Sequence, residues 1–297
     1  SLINPFLCVL FYFYHFRLKK FTFVWSNAPE PFIYLPFLPK RRIHTFHGPW
    51  IKERALDNRS LIVPKIFYPL VKFRACGLVH FNSEYVRKVV NEEINITNRN
   101  QVTLPILINE KKIPPVATTI KNNDKQRENC LTLLLARRLV NRTGVVEFID
   151  TFKKISVPAK LIITGSGYLE DLVCKLTKKN DSINFLGEVP NSYLMSLFDR
   201  CDAVVMPSLD AEGFGVPVIE ALFRGKPVLH TNTGGMKEFF SYSAGGLSFN
   251  LPDPSSLDNS LKQILDFKLK SKSLFRIEEI PYNFEENVWE LLRNAIR

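Results

Sequence analysis

The chain has 297 residues, of which 45% are hydrophobic and 23% are charged, and its 40 Lys and Arg residues outnumber its 29 Asp and Glu residues. The apolar fraction excludes wholesale disorder, and the length predicts about two domains at roughly 100–200 residues each. The net charge of +11 favours an anionic partner: nucleic acid, a phosphorylated small molecule or an anionic lipid surface. The longest apolar stretch, residues 6–14, is about half of the roughly 20 residues that a membrane-spanning helix needs.

The first part of the chain contains short apolar runs that predict strands. An aromatic helix is expected over residues 5–19, before the first strand. A second helix is expected over residues 83–90, where Ser83 is a suitable N-cap. The predicted strands are residues 21–25, 42–46, 79–82 and 102–107.

Residues 114–129 are rich in Pro, Asn, Lys and Asp, a composition typical of a linker. Beyond this segment, short apolar runs alternate with amphipathic stretches. The predicted strands there are residues 131–135, 161–164, 183–186, 203–206, 227–230 and 247–249. The predicted helices are residues 144–155, 168–179, 191–200, 216–224, 235–240 and 255–267.

Alternation of this kind predicts an α/β fold with parallel sheets covered by helices on both faces. We therefore expect two Rossmann-like domains that face a cleft. The first occupies residues 1–113, the linker is 114–129, and the second domain is 130–280. A final helix within 281–297 is expected to return to the first domain. In such sheets, ligands bind beyond the carboxyl ends of the strands.

The loop after the predicted strand 203–206 contains Glu212, Gly213 and Gly215, and a helix with a proline in its first turn follows it. The free N–H groups at the start of that helix suit a phosphate. Carboxylates at Glu212 and Glu220 suit the hydroxyls of a sugar and a ribose. An ordinary glycine turn with surface glutamates is the alternative that this spacing alone leaves open.

Glu212 and Glu220 enclose seven residues within the sequence EGFGVPVIEA. This segment resembles the signature of the family 4 retaining glycosyltransferases, which have the GT-B fold. Other segments resemble that family in the same order. They are TFHG at 45–48, NSEYV at 82–86, RLV at 138–140, LIITGSG at 161–167, FLGEVP at 185–190, GKPV at 225–228, and TGG at 233–235 with Glu238.

The resemblance implies a role for each matching residue. Arg138 is expected to pair with the donor diphosphate, Glu212 with the donor sugar, and Glu220 with the ribose. His47 is expected to reach across the cleft to the reacting carbon and the acceptor, so that His47, Glu212 and Arg138 are the candidate catalytic residues. The residues expected to bind the donor are Arg138, Arg142, Gly165, Gly167, Gly187, Val189, Phe214, Gly215, Val216 and Glu220.

The resemblance also implies the reaction and its setting. A sugar would pass with retention from a UDP- or GDP-sugar to a glycan, lipid-linked or polysaccharide acceptor, without a cofactor or metal ion. The five cysteines form no CxxC pair and are typical of reduced thiols in a cytosolic protein. We expect a cytoplasmic enzyme with peripheral contact at the inner face of the membrane and no nucleic-acid partner.

The sequence departs from the family at three places, one of which is residues 105–109, where Pro-Ile-Leu-Ile-Asn replaces the Pro-Asn-Gly stretch that is usual before the linker. Arg137-Arg138 stands where a Gly-Arg pair is usual, and Thr143 stands where a lysine is usual. A neutral threonine does not balance a diphosphate, so we hypothesise that Arg142 or Arg137 supplies that charge. The family's opening strand and Gly-rich loop have no visible counterpart, so the first domain is expected to be incomplete through N-terminal truncation.

An epimerase with the GT-B fold is an alternative to glycosyl transfer, although the spacing of Glu212 and Glu220 argues against it. Two further functions remain open from the sequence. One is a catalytically impaired nucleotide-sugar-binding remnant, in which Thr143 and the missing N-terminal part of the first domain have abolished sugar transfer. The other is nucleic-acid binding, which depends on the net charge of +11 alone, because the basic residues are scattered and form no known recognition motif.

Overall fold

The computed structural model shows two parallel sheets, one formed before residue 105 and the other after residue 128. The predicted opening helix and the linker up to residue 128 lie outside the described residues. The described part of the predicted final helix, four residues, is helical. The structure describes residues 24–26, 42–62, 78–94, 96, 100–104, 129–213, 215–241, 243–270, 286, 289, 290 and 293.

The first sheet has four parallel strands that lie side by side in chain order, β1-β2-β3-β4. Among the described residues, two helices accompany it, and the first of them was not expected from the sequence. The strands are β1 Val24–Ser26, β2 Arg42–Phe46, β3 Leu78–Phe81 and β4 Gln101–Thr103, and the helices are α1 Trp50–Leu56 and α2 Glu84–Ile94.

Helix α2 is amphipathic and packs its apolar stripe on this sheet. Val86, Val90 and Ile94 recur every four residues and are buried in the same cluster as Phe46 and Phe81. This spacing puts the three side chains on one face of the helix. The Oγ of the preceding serine accepts a hydrogen bond from the Val86 N–H at 3.2 Å, which confirms the predicted N-cap.

The second sheet has six parallel strands and carries the larger core. Its strands are β5 Leu131–Ala136, β6 Ala159–Thr164, β7 Ile183–Phe185, β8 Ala203–Met206, β9 Val228–Thr231 and β10 Gly246–Phe249. Its helices are α3 Val145–Phe152, α4 Glu170–Thr177, α5 Asn191–Arg200, α6 Val216–Phe223, α7 Gly234–Phe239 and α8 Pro254–Leu269. Strands β8 and β9 are buried at every residue, as expected for strands covered by helices on both faces.

The strand order β10-β9-β8-β5-β6-β7 decides where a ligand can bind. The chain first builds outward from β5 to β7, then returns to the other side of β5 and builds outward from β8 to β10. The loops that leave β5 and β8 therefore turn in opposite directions and open a crevice between them. Arg137 and Arg138 directly follow β5, and the loop with Glu212 follows β8.

The structure confirms the predicted α/β class and the existence of each predicted strand and helix between residues 131 and 267, with differences of at most three residues at their ends. The last strand of the first sheet ends at Thr103, earlier than the predicted residue 107. The predicted helix over 144–155 begins at Val145, because Gly144 has φ +66° and stands before the helix as its N-cap, and it ends at Phe152, three residues earlier than predicted.

Candidate functional site

The carboxyl ends of the two sheets face one another across a cleft of about 490 Å³. Residues from both halves of the chain line this cleft. They include His47, Gly48 and Glu53 from the first half, and Arg137, Arg138, Arg142, Thr143, Glu212, Gly215 and Val216 from the second. The structure thus brings together candidates that lie up to 169 positions apart in sequence, from His47 to Val216.

Glu212 is buried in the loop after β8, with 7% of its surface exposed. Its Oε2 accepts hydrogen bonds from the Arg137 guanidinium and from the Ser208 Oγ, the latter at 3.0 Å. Burial alone would raise the pKa of Glu212. The charges of Arg137 and Arg142, with the two hydrogen bonds, outweigh burial and hold this pKa below its ordinary value.

The glycine after Glu212 brings the two domains into direct contact. A Cβ on Gly213 would lie 2.1 Å from the backbone oxygen of His47, so only a glycine fits here. The same oxygen accepts a hydrogen bond from the Asn82 Nδ2 at 2.7 Å. The His47 side chain remains exposed in the cleft, and partial burial lowers the pKa of its imidazole below 6.5.

Arg138 presents an uncommitted charge to the cleft. Its side chain is exposed and makes no hydrogen bond or ion pair with any residue that the structure describes. Thr143, by contrast, is 2% exposed, and its Oγ1 donates to the backbone oxygens of Arg138 at 3.0 Å and Val140 at 2.6 Å. Thr143 therefore holds the backbone of the loop that carries Arg138.

Arg142 is buried and pairs with two carboxylates of the first domain. Its Nε lies 3.4 Å from the Asp57 Oδ2, and its Nη2 lies 3.7 Å from the Glu53 Oε2. Burial raises the pKa of Glu53. The charges of Arg142 and Arg138 oppose this effect, while the nearby Glu212 and Asp57 add to it. The two arginines proposed to compensate for Thr143, Arg142 and Arg137, are thus both paired with carboxylates, although both line the cleft.

A second cavity of about 300 Å³ adjoins the first and shares Arg137, Arg138 and Pro217 with it. Three further candidates line it: Gly165, Val189 and Glu220. Burial raises the pKa of Glu220, against the opposing charge of Arg224.

Two candidate glycines line neither cavity but shape the loops beside them. A Cβ on Gly167 would lie 2.2 Å from the backbone oxygen of Leu139, so this glycine lets the two loops approach. The backbone oxygen of Gly187 accepts hydrogen bonds from the Gly165 N–H at 2.9 Å and from the Thr164 hydroxyl at 2.7 Å. Phe214, another candidate, lies outside the described residues.

Further contacts join the domains beside the cleft. The Glu238 carboxylate of α7 accepts hydrogen bonds from the N–H groups of Glu84 and Tyr85, both at 3.0 Å. Asp210 accepts a hydrogen bond from the Tyr85 hydroxyl at 2.6 Å and forms an ion pair with Lys52 at 2.7 Å. These contacts join the two domains beside the cleft.

The sequence analysis did not identify Glu53, Lys52 or Asp57 as site residues. All three lie on or next to α1, which the hydrophobic pattern did not predict because none of its residues is fully buried. The signal in the sequence that could have indicated these residues is their nearness to His47, since α1 begins three residues after it.

No helix in the described part of the chain is long and apolar enough to cross a membrane. Among the same residues, no group of three or more His, Cys, Asp or Glu side chains is placed to hold a metal ion.

Several curated proteins are similar to this chain. An uncharacterized glycosyltransferase of Methanocaldococcus jannaschii is 33% identical over 164 residues, which are 53% of this chain and 40% of that protein. The O-antigen chain mannosyltransferase RfbU of Salmonella typhimurium is 26% identical over 246 residues, covering 78% of this chain and 67% of its own length. The chain therefore spans only part of each relative.

The fold is similar to solved structures as well. The crystal structure of Anabaena HepE in complex with UDP and glucose superposes with a TM-score of 0.67 at 17% identity, over 93% of this chain and 76% of that one. The two parallel sheets thus have the GT-B architecture that the sequence predicted. Residues 116–277, more than half of the chain, match the family described as glycosyl transferases group 1. The chain belongs to the glycosyl transferases group 1 family.

Proposed function

We propose that this chain is a retaining glycosyltransferase of family 4 that transfers a sugar from a UDP- or GDP-sugar to a glycan, polysaccharide or lipid-linked acceptor. The observation that carries the proposal is the uncommitted Arg138 guanidinium, which faces a cleft between two domains beside the start of α6. The complex of HepE with UDP and glucose supports the donor class, and the O-antigen mannosyltransferase supports the acceptor class.

The donor diphosphate is proposed to lie between Arg138 and the N-terminus of α6. Gly215, with φ +88°, precedes the helix as its N-cap, and Val216 begins it. Pro217 has no N–H, and the Val218 N–H donates to the Gly215 oxygen at 3.2 Å, so the Val216 N–H is the donor at the start of α6 that no described residue occupies. Such an N–H binds anionic oxygens, and the helix N-terminus contributes a partial positive charge. Arginine adds several donors in a planar fork that suits phosphate. These groups would stabilise the departing diphosphate without a resident metal ion.

The two glutamates are proposed to bind different hydroxyls. Glu220 lines the smaller cavity together with Gly165 and Val189, which suits a nucleoside whose ribose meets the carboxylate. Glu212 lines the larger cavity next to His47, which suits the sugar and its reacting carbon. A neutral imidazole at His47, favoured by its lowered pKa, can exchange hydrogen bonds with the acceptor hydroxyl or the sugar.

We further propose a cytoplasmic protein that makes peripheral contact with the inner face of a membrane when its acceptor is lipid-linked. The net charge of +11 supports this proposal, because basic residues near an anionic leaflet attract it electrostatically.

The testing experiment compares ligand binding with turnover. Thermal unfolding is followed with UDP, GDP, UDP-glucose and GDP-mannose, because a ligand at about 100 times its Kd stabilises the fold by about 2.7 kcal/mol. The stabilising sugar nucleotide is then incubated with lipid-linked and free glycan acceptors, and the anomeric configuration of the product is determined. Retention in the product supports the proposal. Binding without transfer to any acceptor supports the impaired remnant, and stabilisation by duplex DNA alone supports the nucleic-acid alternative.

A further inference from the structure

Arg137 has both terminal nitrogens occupied inside the protein. Its side chain is buried, with 7% of its surface exposed. Its Nη1 donates a hydrogen bond to the Ser208 Oγ at 2.5 Å, and its Nη2 forms an ion pair with the Glu212 Oε2. Its backbone N–H donates to the oxygen of Thr164 at 3.0 Å and so extends the pairing of β5 with β6. Because both terminal nitrogens are bonded, the Arg137 guanidinium is directed at Glu212, whereas the Arg138 side chain is exposed to the open cleft.

Ser208 is fixed as firmly as Arg137. It is 1% exposed, and its backbone oxygen accepts hydrogen bonds from the hydroxyls of Thr231 and Thr233. Its own hydroxyl contacts both Arg137 and Glu212. Arg137, Ser208 and Glu212 therefore form a closed triangle whose corners come from the exits of β5 and β8.

The two carboxylate oxygens of Glu212 have different surroundings. Both hydrogen bonds of the triangle go to Oε2. Oε1 accepts no hydrogen bond from any described residue and lies 3.5 Å from the place a Cβ would take on Gly215, a residue that lines the larger cleft. One oxygen is therefore committed to the fold, and the other is available to a ligand in the cleft.

We infer that Arg137 is a positioning residue that, with Ser208, fixes Oε2 of Glu212 so that Oε1 meets the hydroxyls of the donor sugar. This inference rests on the proposed function. A carboxylate with one oxygen held by two donors has little freedom to rotate, so its second oxygen is placed before the ligand arrives. The charge of Arg137 also keeps the buried carboxylate ionised, as the lowered pKa of Glu212 shows. The other charged groups that act on Glu212 include Arg142 and Glu53.

The test separates sugar recognition from diphosphate recognition. Calorimetric affinities for the free nucleoside diphosphate and for its sugar nucleotide, UDP with UDP-glucose or GDP with GDP-mannose, are measured for wild type, Arg137→Ala, Arg137→Lys and Glu212→Gln. We expect Arg137→Ala to leave the diphosphate affinity unchanged and to lower the sugar-nucleotide affinity about 10-fold, as the loss of a charged hydrogen bond implies. Arg137→Lys should restore part of that loss.

Two more readouts distinguish positioning from a general structural role. Arg137→Ala should add little to the loss already caused by Glu212→Gln, because both changes disable the same carboxylate. Without the charge of Arg137, burial should raise the pKa of Glu212. In Arg137→Ala, the acid limb of the pH profile of the transfer rate should therefore move to higher pH. If Arg137→Ala does not fold, Ser208→Ala removes the second donor to Oε2 and should give the same selective loss.

If Arg137→Ala lowered the affinities for the free diphosphate and for the sugar nucleotide equally, the inference would be overturned, since Arg137 would then act on the diphosphate itself. Unchanged affinity for the sugar nucleotide would overturn it too. If wild type binds none of the sugar nucleotides, the proposed function fails first, and that result is seen before any variant is compared.

Discussion

The Glu238 carboxylate and the Tyr85 backbone N–H, 153 positions apart in sequence, form a hydrogen bond of 3.0 Å across the two domains. The same carboxylate accepts a second hydrogen bond from the Glu84 N–H, so Glu238 satisfies two of the free donors at the start of α2. Ser83 satisfies a third from within its own domain. A negative charge at a helix N-terminus is stabilising, and here it comes from the opposite domain. The helix cap is therefore also a contact between the two domains.

Glu238→Ala should loosen the start of α2. A lost N-cap costs about 0.5–2 kcal/mol, so amide hydrogen exchange at Tyr85 should accelerate about 2- to 30-fold. Lys237→Ala changes the exposed neighbour on the same helix and should leave this exchange rate unaltered. Equal rates in wild type and Glu238→Ala would show that the cap is not formed in solution.

Gly213→Ala should force the two domains apart. The added Cβ would lie 2.1 Å from the His47 backbone oxygen and 2.8 Å from the Asn82 Nδ2, so the backbone of one domain must move. A displacement of about 1 Å at a reacting site can cost about 100-fold in rate, so a fall of that size in transfer rate is expected. The radius of gyration from small-angle scattering should rise at the same time.

Gly225→Ala is the matched control for that change. A Cβ at Gly225 has no atom within 4 Å, although φ there is +67°. The substitution should cost about 1 kcal/mol of stability through backbone strain and leave the scattering and the rate per folded molecule unaltered. A loss of rate as large as that of Gly213→Ala would contradict the role given to the interdomain contact.

Arg138→Ala should weaken binding of UDP or GDP. Hydrogen bonds to charged groups contribute about 1.5–3 kcal/mol, which corresponds to a loss of about 10- to 150-fold in affinity. Arg138→Lys should recover only part of the loss, because an ammonium lacks the planar fork. Calorimetry measures both, and Arg200→Ala, at an exposed position of α5, serves as the control. Unchanged affinity in Arg138→Ala would place the diphosphate elsewhere.

Glu93→Gln should alter how stability depends on pH. Burial raises the pKa of Glu93 from 4.5 to about 7, although its hydrogen bonds with the Lys52 and Ile51 N–H groups oppose this. The folded state therefore binds this proton more tightly than the unfolded chain does. As a result, the stability of the fold decreases as the pH rises from 4.5 to about 7 and does not change further through this group at higher pH. Glutamine has no such proton and still accepts from Lys52.

The free energy of unfolding of Glu93→Gln should thus exceed that of wild type by a margin that grows over this pH window. Glu92→Gln, at the exposed neighbouring position, should show no such growth. Urea unfolding at a series of pH values measures both variants, and a constant difference between Glu93→Gln and wild type would contradict the prediction.

The sequence by itself determined the α/β class and the order of strands and helices after residue 130, and it predicted the loop with Glu212 as the functional region, a loop that lines the cleft. These features are local, because runs of apolar residues, glycine turns and helix starts depend on neighbours along the chain. The N-cap at Ser83 was predictable for the same reason. Helix α1 was not, since it has no fully buried residue to produce an apolar stripe.

Only the tertiary structure decided what each charged side chain pairs with. Arg137 and Arg138 are adjacent in sequence and chemically identical, yet the first is buried against Glu212 and the second is exposed in the cleft. Arg142 is directed to Asp57 of the other domain. Such pairings join residues 75 and 85 positions apart, so they depend on how the two sheets face one another. Local sequence contains no information on that arrangement, because pairing energy depends on distance and burial in the folded chain.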